Sequence, residues 1–199
     1  MALQNAVAAA LPVIILAVVG AAMLLILLTF RSPILALKAG LINLLSIGAS
    51  YGVLIAVFQW GWGSALFGVP QPVPIVSFVP ILMFAIVFGL SMDYEVFLLS
   101  RVREAWMLSQ DNKESVTHGL SITARIITAA AVIMACVFFS FLLTPSATIK
   151  MLALGLGVSV LIDVTLVRLV IVPSAMFLFG RLNWWTPRWL GAMLHRLEL

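Results

Sequence analysis

Residues 79–106 read VPILMFAIVFGLSMDYEVFLLSRVREAW, and this stretch points to the class of fold. It opens with an apolar run long enough to cross a bilayer and ends on Arg101 and Arg103, where a membrane helix would meet the aqueous side. Asp93 and Glu95 stand inside the run. A charged side chain at membrane depth costs at least about 2.5–3.5 kcal/mol on insertion scales, so these two residues are candidates for function.

The rest of the chain has the same character. Of its 199 residues, 64% are hydrophobic and 9% are charged, and the mean hydropathy is +1.22. A soluble domain carries about a quarter charged residues. At about 20 residues per helix, the chain has room for five or six spans and none for a large external domain. We therefore predict an all-α integral membrane protein, a five-helix transmembrane bundle that forms one domain over residues 1–199, with spans at about 11–30, 34–59, 77–100, 122–143 and 151–179.

Lysine and arginine are distributed unevenly between the two sides of this bundle. Of the 11 basic residues, all but Lys150 and the intramembrane Arg168 fall on the side that holds segments 101–121 and 180–199. The positive-inside rule predicts that this side is cytoplasmic and that the N-terminus is external. We interpret 101–121 as a cytoplasmic loop with a short surface helix and a linker, and 180–199 as a cytoplasmic tail with an amphipathic helix on the leaflet. The net charge of +4 then reflects topology and lipid headgroup contacts, not nucleic-acid binding.

The sequence is poor in residues for catalysis or metal binding. Cys136 is the one cysteine and lies in an apolar run, which excludes an internal disulfide and a cysteine metal cluster. His118 and His195 are far apart in surface segments. No arrangement of serine, histidine and aspartate in the sequence suggests nucleophilic catalysis. We expect no cofactor, no metal and no enzymatic activity.

Asp93 is the deepest acidic residue of the third span. It precedes Arg101 by about two helical turns, which places it about 12 Å from the interface at 1.5 Å per residue. A carboxyl group there can exchange a proton when water or a partner reaches it, so we favour a proton carrier over a structural hydrogen bond. Tyr94 lies about 100° further round the helix, and we expect its hydroxyl to meet another helix and not Asp93. Glu95 lies about 200° round, on nearly the opposite face, and a structural role is favoured for it.

Asp163 and Arg168 are the charged residues of the fifth span. Gly155, Ser159 and Asp163 recur every fourth residue and form a small, polar stripe that lets a neighbouring helix approach closely. Arg168 is five residues beyond Asp163, about 140° round an α-helix, so we expect no direct pair between them. Each needs a partner elsewhere, and Arg168 is expected to meet Asp93 or Glu95. Structural pairing and a direct functional role remain equally open for the two residues.

Three segments resemble one known family. Residues 91–98, SMDYEVFL, with Ser100-Arg101 are similar to the motif-bearing helix of the MMPL-type (mycobacterial membrane protein large) lipid transporters of the resistance-nodulation-division superfamily. LIDVTLVR at 161–168 with Val172-Pro173, and GRLNWWTP at 180–187, resemble the same family. The resemblance covers nearly the whole chain and corresponds to the last five helices of the second half of such a transporter.

The resemblance implies a function and partners. In that family, two Asp-Tyr pairs, each built across the two halves, couple proton entry to lipid export, and Asp93 and Tyr94 match one half of this arrangement. Glu95, Asp163 and Arg168 would support it by ion pairing within the membrane. We therefore expect part of a proton-motive-force-driven exporter of lipids or other hydrophobic molecules in the plasma membrane. Its partners would be protons, membrane lipids and either the first-half helices and porter domains or a homologous chain, and the chain would be a fragment or a partner-dependent subunit.

Two other functions compete with export. An intramembrane aspartyl protease would pair Asp93 with Asp163, but such enzymes carry Tyr-Asp and Gly-x-Gly-Asp signatures. Here the order is Asp93-Tyr94, and Asp163 follows Leu161-Ile162, so the signature fails. The second alternative, a non-transporting membrane module that binds lipid or serves as a scaffold, stays open.

Overall fold

The chain is described by a computed structural model over residues 2–68, 73–76 and 78–187, with side chains described from residue 12 onward except at residue 66. Within these ranges it is helical, with no strand. Five helical stretches are long and apolar enough to cross a membrane, which confirms the predicted class of a multi-pass all-α bundle. The helices are α1 (Ala2–Phe30), α2 (Pro33–Phe58), α3 (Phe78–Ser109), α4 (Asn112–Ser140), α5 (Ala147–Ile162) and α6 (Val172–Phe179).

A tight turn joins α1 to α2. Arg31 adopts a positive φ of 55°, and Ser32 then caps α2 by accepting a hydrogen bond from the backbone N–H of Leu35 at 3.3 Å. Pro33 follows at the first position of the helix, where its missing N–H costs nothing. The RSP sequence therefore ends one membrane helix and starts the next with no intervening loop.

The segment 101–121 differs from its predicted form. No separate surface helix is present there; instead α3 continues to Ser109 and α4 begins at Asn112. The turn consists of Gln110, with a φ of 56°, and Asp111, whose Oδ1 accepts from two backbone N–H groups of α4. The polar composition that suggested a loop belongs to exposed faces of two long helices, because polar residues alone do not end a helix.

Close approach between helices depends on small residues. A Cβ at Gly119 would lie 2.9 Å from the backbone nitrogen of Val102, so α4 packs directly on the α3 backbone. A Cβ at Gly155 would overlap Sδ of Met83. The latter contact confirms the expectation that the stripe of Gly155, Ser159 and Asp163 admits a close neighbour, which is α3.

The fifth span changes its helical form in the middle. Between α5 and α6, residues Asp163–Ile171 form a π-helix, in which backbone hydrogen bonds join residues five apart. The N–H of Val172 accordingly donates to the carbonyl of Val167. Pro173 comes next and has no N–H to donate, and its ring would crowd the carbonyl four residues earlier in a regular α-helix. The widened turn ahead of the proline accommodates both effects.

The far end of this span is tied to three other helices. Asn183, in a short 3₁₀ turn over Gly180–Trp184, is buried and accepts a hydrogen bond from Nζ of Lys38 on α2 at 3.1 Å. Trp184 stacks on Trp106 of α3 with ring centroids 5.5 Å apart, and its Nε1 donates to Asn112 of α4. The predicted leaflet helix in the tail lies outside the described residues.

Candidate functional site

Polar side chains from three segments meet inside the bundle. They come from α2, α3 and the π-helix, and none is more than 5% exposed: Asn43, Ser91, Glu95, Asp163 and Arg168. Buried polar groups are costly unless each is hydrogen-bonded, and a charged group buried without a partner is costlier still. The position of this cluster, at the contact of α2, α3 and the fifth span, makes it the candidate functional site.

An ion pair forms the centre of the cluster. Nε of Arg168 lies 2.8 Å from Oδ2 of Asp163, and both side chains are buried. The expectation that these two residues would not pair is wrong, because it assumed α-helical geometry. In a π-helix, five residues make about one turn, so Asp163 and Arg168 face the same side.

Ser91 connects the ion pair to α3. Its Oγ lies 2.8 Å from Oδ1 of Asp163 and 3.0 Å from Nη2 of Arg168, and Nη2 also donates to the Ser91 carbonyl. Arg168 was expected to meet Asp93 or Glu95, and this expectation is wrong. Among the described residues, its hydrogen bonds go to Asp163 and Ser91. The guanidinium thus holds the backbone of α3 against the fifth span.

Glu95 is bound by an amide on α2. Nδ2 of Asn43 donates to Oε2 of Glu95 at 2.8 Å, and Oδ1 of Asn43 lies 2.8 Å from Oγ of Ser91. Of the residues that the structure describes, Arg168, Asp163 and Lys38 are the charged groups close enough to act on Glu95. Glu95 therefore sits inside the bundle and does not reach the interface.

Asn43 and Ser91 were missed by sequence reasoning, which looked at charged residues alone. A signal for each was present. Asn43 is an amide in the middle of an apolar span, and Ser91 precedes Glu95 by four residues, so both side chains lie on one face of α3. Buried polar groups gather where they can satisfy one another, and this requirement could have singled out both residues.

Asp93 lies on a different side of α3. Its side chain is exposed on the outer surface of the bundle, whereas Glu95, two residues on, is buried, as the helical angle predicted. Within the described part of the chain, no group donates a hydrogen bond to the Asp93 carboxylate. Asp93 thus stands apart from the buried cluster and faces outward at the depth of a membrane span.

Tyr94 lies between the two environments. Its ring is partly buried, with the guanidinium carbon of Arg168 5.4 Å from the ring centroid, a cation–π contact. Its hydroxyl lies 3.9 Å from Sδ of Met134 on α4, so it meets another helix and not Asp93, as expected. One face of Tyr94 therefore borders the buried ion pair, and its neighbour Asp93 borders the outside.

This arrangement differs from that of an intramembrane aspartyl protease. Asp163 is occupied by Arg168 and Ser91 while Asp93 is exposed, so the two carboxyl groups do not form the facing pair that an aspartyl protease needs. Among the described residues, no group of three histidine, cysteine or acidic side chains could hold a metal ion. Hydroxyl, amide and carboxyl groups in hydrogen-bonded contact can hold and pass protons.

Comparison with known proteins gives a consistent result. The MMPL family model matches residues 2–196. The chain is 41% identical over 195 residues to the mycolic acid-containing lipids exporter MmpL11 of Mycolicibacterium smegmatis, covering 98% of the chain and 20% of that protein. It is 44% identical over 195 residues to the heme uptake protein MmpL11 of Mycobacterium tuberculosis, with the same coverage. It is also 38% identical over 192 residues to the trehalose monomycolate exporter MmpL3 of M. smegmatis, covering 95% of the chain and 19% of that protein. The chain spans about a fifth of the length of these relatives.

Proposed function

Since the chain belongs to the MMPL family, we propose that it is the proton-driven helical part of an exporter of lipids or other hydrophobic molecules. Two of the relatives named above export mycolic acid-containing lipids and trehalose monomycolate. The five membrane-spanning helices are the form that such a part requires. In this proposal Asp93 takes up and releases the proton, and Tyr94 stands beside it as its partner residue.

The observation that carries the proposal is the outward position of Asp93. A carboxyl group facing lipid at membrane depth is expensive, so a second protein segment or a water-filled passage has to meet it there. A relay built across two halves of a transporter requires such a group on the surface that the halves share. The proposed partner is therefore the set of first-half helices with the porter domains, or a homologous chain.

Tyr94 offers a route from the relay to the rest of the bundle. A proton on Asp93 removes a negative charge next to Tyr94, whose ring rests against Arg168. Arg168 in turn binds the α3 backbone and Asp163 of the fifth span. We propose that protonation of Asp93 biases the packing of α3 on the fifth span, which gives the transporter two states to alternate between.

Substrate choice is proposed to lie outside these helices. Relatives that each match 195 residues of the chain are named for mycolic acid-containing lipids in one case and for heme in another. A module shared by proteins with different cargoes supplies the driving step and not the selection. The uneven distribution of basic residues supports an external N-terminus and a cytoplasmic C-terminus in the plasma membrane.

The proposal is tested by export in cells that carry the full transporter. Asp93→Asn keeps the side-chain shape and removes the titrating group, and we expect it to abolish the appearance of acetate-labelled lipid at the cell surface. Glu104→Gln is the matched control, because Glu104 is an exposed acid on the same helix, paired with Arg101 beyond the apolar run. Both variants should reach the membrane at the wild-type level. Wild-type export by Asp93→Asn would overturn the proposal.

A further inference from the structure

Two carboxyl groups inside the bundle are joined by a short chain of polar contacts. Oε2 of Glu95 lies 2.8 Å from the Asn43 amide, the amide lies 2.8 Å from Oγ of Ser91, and Oγ lies 2.8 Å from Oδ1 of Asp163. At this separation, each contact requires one hydrogen between its two atoms. The chain of contacts therefore needs three hydrogens, and the donors that supply them can be counted.

With both carboxyl groups ionised, the chain of contacts is one hydrogen short. Each carboxylate only accepts, so the Asn43 amide must turn its nitrogen to Glu95 and its oxygen to Ser91. The Ser91 hydroxyl has a single hydrogen, and it faces two acceptors, Oδ1 of Asn43 and Oδ1 of Asp163. Arg168 cannot fill the gap, because its Nη2 donates to Oγ of Ser91 from outside the chain of contacts. Two acceptors would face each other at 2.8 Å.

One added proton satisfies every contact, and it can do so in two ways. When Asp163 holds it, Asp163 donates to Ser91, Ser91 donates to Asn43, and the amide nitrogen donates to Glu95. When Glu95 holds it, Glu95 donates to the amide oxygen after the amide has rotated by half a turn. The amide nitrogen then donates to Ser91, and Ser91 donates to the Asp163 carboxylate. In both arrangements the carboxylate that lacks the proton is the final acceptor.

A second proton does not fit. If both carboxyl groups donate, the amide oxygen faces Glu95, the amide nitrogen faces Ser91, and the Ser91 hydroxyl hydrogen has no acceptor in the chain of contacts. We therefore propose that Glu95, Asn43, Ser91 and Asp163 form a binding site for a single proton, which resides on either carboxyl group but not on both. The step is a simple association of a carboxylate with a proton, and nothing is oxidised or reduced.

The charged surroundings do not by themselves demand this proton. Arg168 faces Asp163, with the Tyr94 ring on its other side, and Lys38 of α2 acts on Glu95. Two cations therefore stand against two carboxyl groups, and charge balance would allow both to be ionised. The single proton follows from the hydrogen-bond count. This internal proton site is separate from Asp93 and adds to the proposed function. Its use in transport rests on that proposed function, whereas its ability to bind a proton does not.

Infrared spectroscopy of the purified full chain in lipid nanodiscs tests the site. At neutral pH, in an Asp93→Asn background that removes the exposed acid, we expect the stretching band of one carboxylic acid per chain, shifted in D₂O. Glu95→Gln and Asp163→Asn each imitate the protonated form of the residue replaced, because the new amide nitrogen donates where the acid would. The remaining carboxyl group then ionises, so each substitution alone should remove the band. If the proton instead resided on one carboxyl group alone, the band would remain in the variant that replaces the other residue.

Ser46→Ala is the matched control. The Ser46 hydroxyl lies on α2 one turn beyond Asn43, is buried, and has no hydrogen-bond partner in the described part of the chain. Its removal should leave the band at one equivalent. A band that survives in Glu95→Gln or in Asp163→Asn overturns the proposal. If neither variant folds, the band of the Asp93→Asn protein alone tests the proposal. The absence of the band, or an intensity of two carboxylic acids per chain, would also overturn the proposal. The export proposal is tested by a different measurement, because it fails if Asp93→Asn exports lipid at the wild-type level.

Discussion

Replacement of Arg168 by methionine tests the buried ion pair. The substitution removes a charged hydrogen bond of 2.8 Å to Asp163 and the donations to Ser91, and it leaves Asp163 buried beside Glu95 with no cation bonded to it. Removing one partner of a buried pair costs about 3–5 kcal/mol. Hydrogen bonds between membrane helices contribute about 0.6 kcal/mol on average, so the unpaired carboxylate dominates the loss. We expect Arg168→Met to lower the free energy of unfolding by about 3–5 kcal/mol.

The partner substitution should cost less. Asp163→Asn leaves Arg168 charged, but Glu95 remains close enough to balance it, and the asparagine keeps the shape of the aspartate. With both residues replaced, the pair is removed as a unit, Glu95 keeps the Asn43 amide and the nearby charge of Lys38, and the loss should fall to about 1 kcal/mol, as for ordinary polar contacts. The coupling energy between the two positions is then at least about 2–4 kcal/mol, which is the loss in Arg168→Met less the loss with both residues replaced, and it lies well above the deviation from additivity expected of distant sites.

The assay is reversible unfolding in mixed dodecylmaltoside and SDS micelles, followed by circular dichroism for the four members of the cycle. The shape of the transition must stay the same across the four proteins for the energies to be compared. Arg168→Lys adds a fifth point, because lysine keeps the charge but cannot donate in two directions at once, so its cost should fall between wild type and Arg168→Met. Additive single losses, each below about 1 kcal/mol, would refute the pairing of Asp163 with Arg168.

Three further predictions concern how the chain shapes and positions its helices. Pro173→Ala restores a backbone donor after the π-helix and should let the segment return to α-helical geometry, which would cut the coupling between Asp163 and Arg168 to below about 1 kcal/mol in the same unfolding cycle. Gly119→Val should destabilise the bundle by about 1–3 kcal/mol, because its side chain meets the Val102 backbone, whereas Gly89→Ala, with open space at its Cβ, should not destabilise it. Asp111→Ala removes the acceptor of two backbone N–H groups and should cost about 1 kcal/mol in thermal unfolding, with no loss of helix content in α3.

The sequence was sufficient for the class of fold because apolar runs of membrane length are typical of spanning helices and rare in soluble domains. It also separated Asp93 from Glu95, since two residues on any α-helix point to nearly opposite sides. The wrong inference at Asp163 and Arg168 came from the same rule, applied where the helix is not an α-helix. Pro173 was visible in the sequence, but a proline can also kink or end a helix, and which of these occurs depends on how neighbouring helices pack.

The prediction of a loop at 101–121 was wrong for a related reason. Charge density in a sequence reports exposure to water and not the path of the backbone, so two exposed helix ends look like a loop. Asp111 after Gln110 was the informative signal, because an aspartate ahead of Lys113 and Glu114 is typical of a helix start. Asn43 could not be matched to Glu95 from sequence at all, since their contact depends on the register of α2 against α3.

Proton movement through Asp93 can be measured as proton flux in inverted membrane vesicles. Vesicles from cells that carry the full transporter, and from cells that lack it, would be loaded with a pH-sensitive dye and given an imposed pH gradient. Wild-type and Glu104→Gln vesicles should dissipate the gradient faster than vesicles without the protein, and Asp93→Asn vesicles should match the latter. Dissipation by Asp93→Asn at the wild-type rate, with equal protein in the membrane, would show that the proton does not move through Asp93.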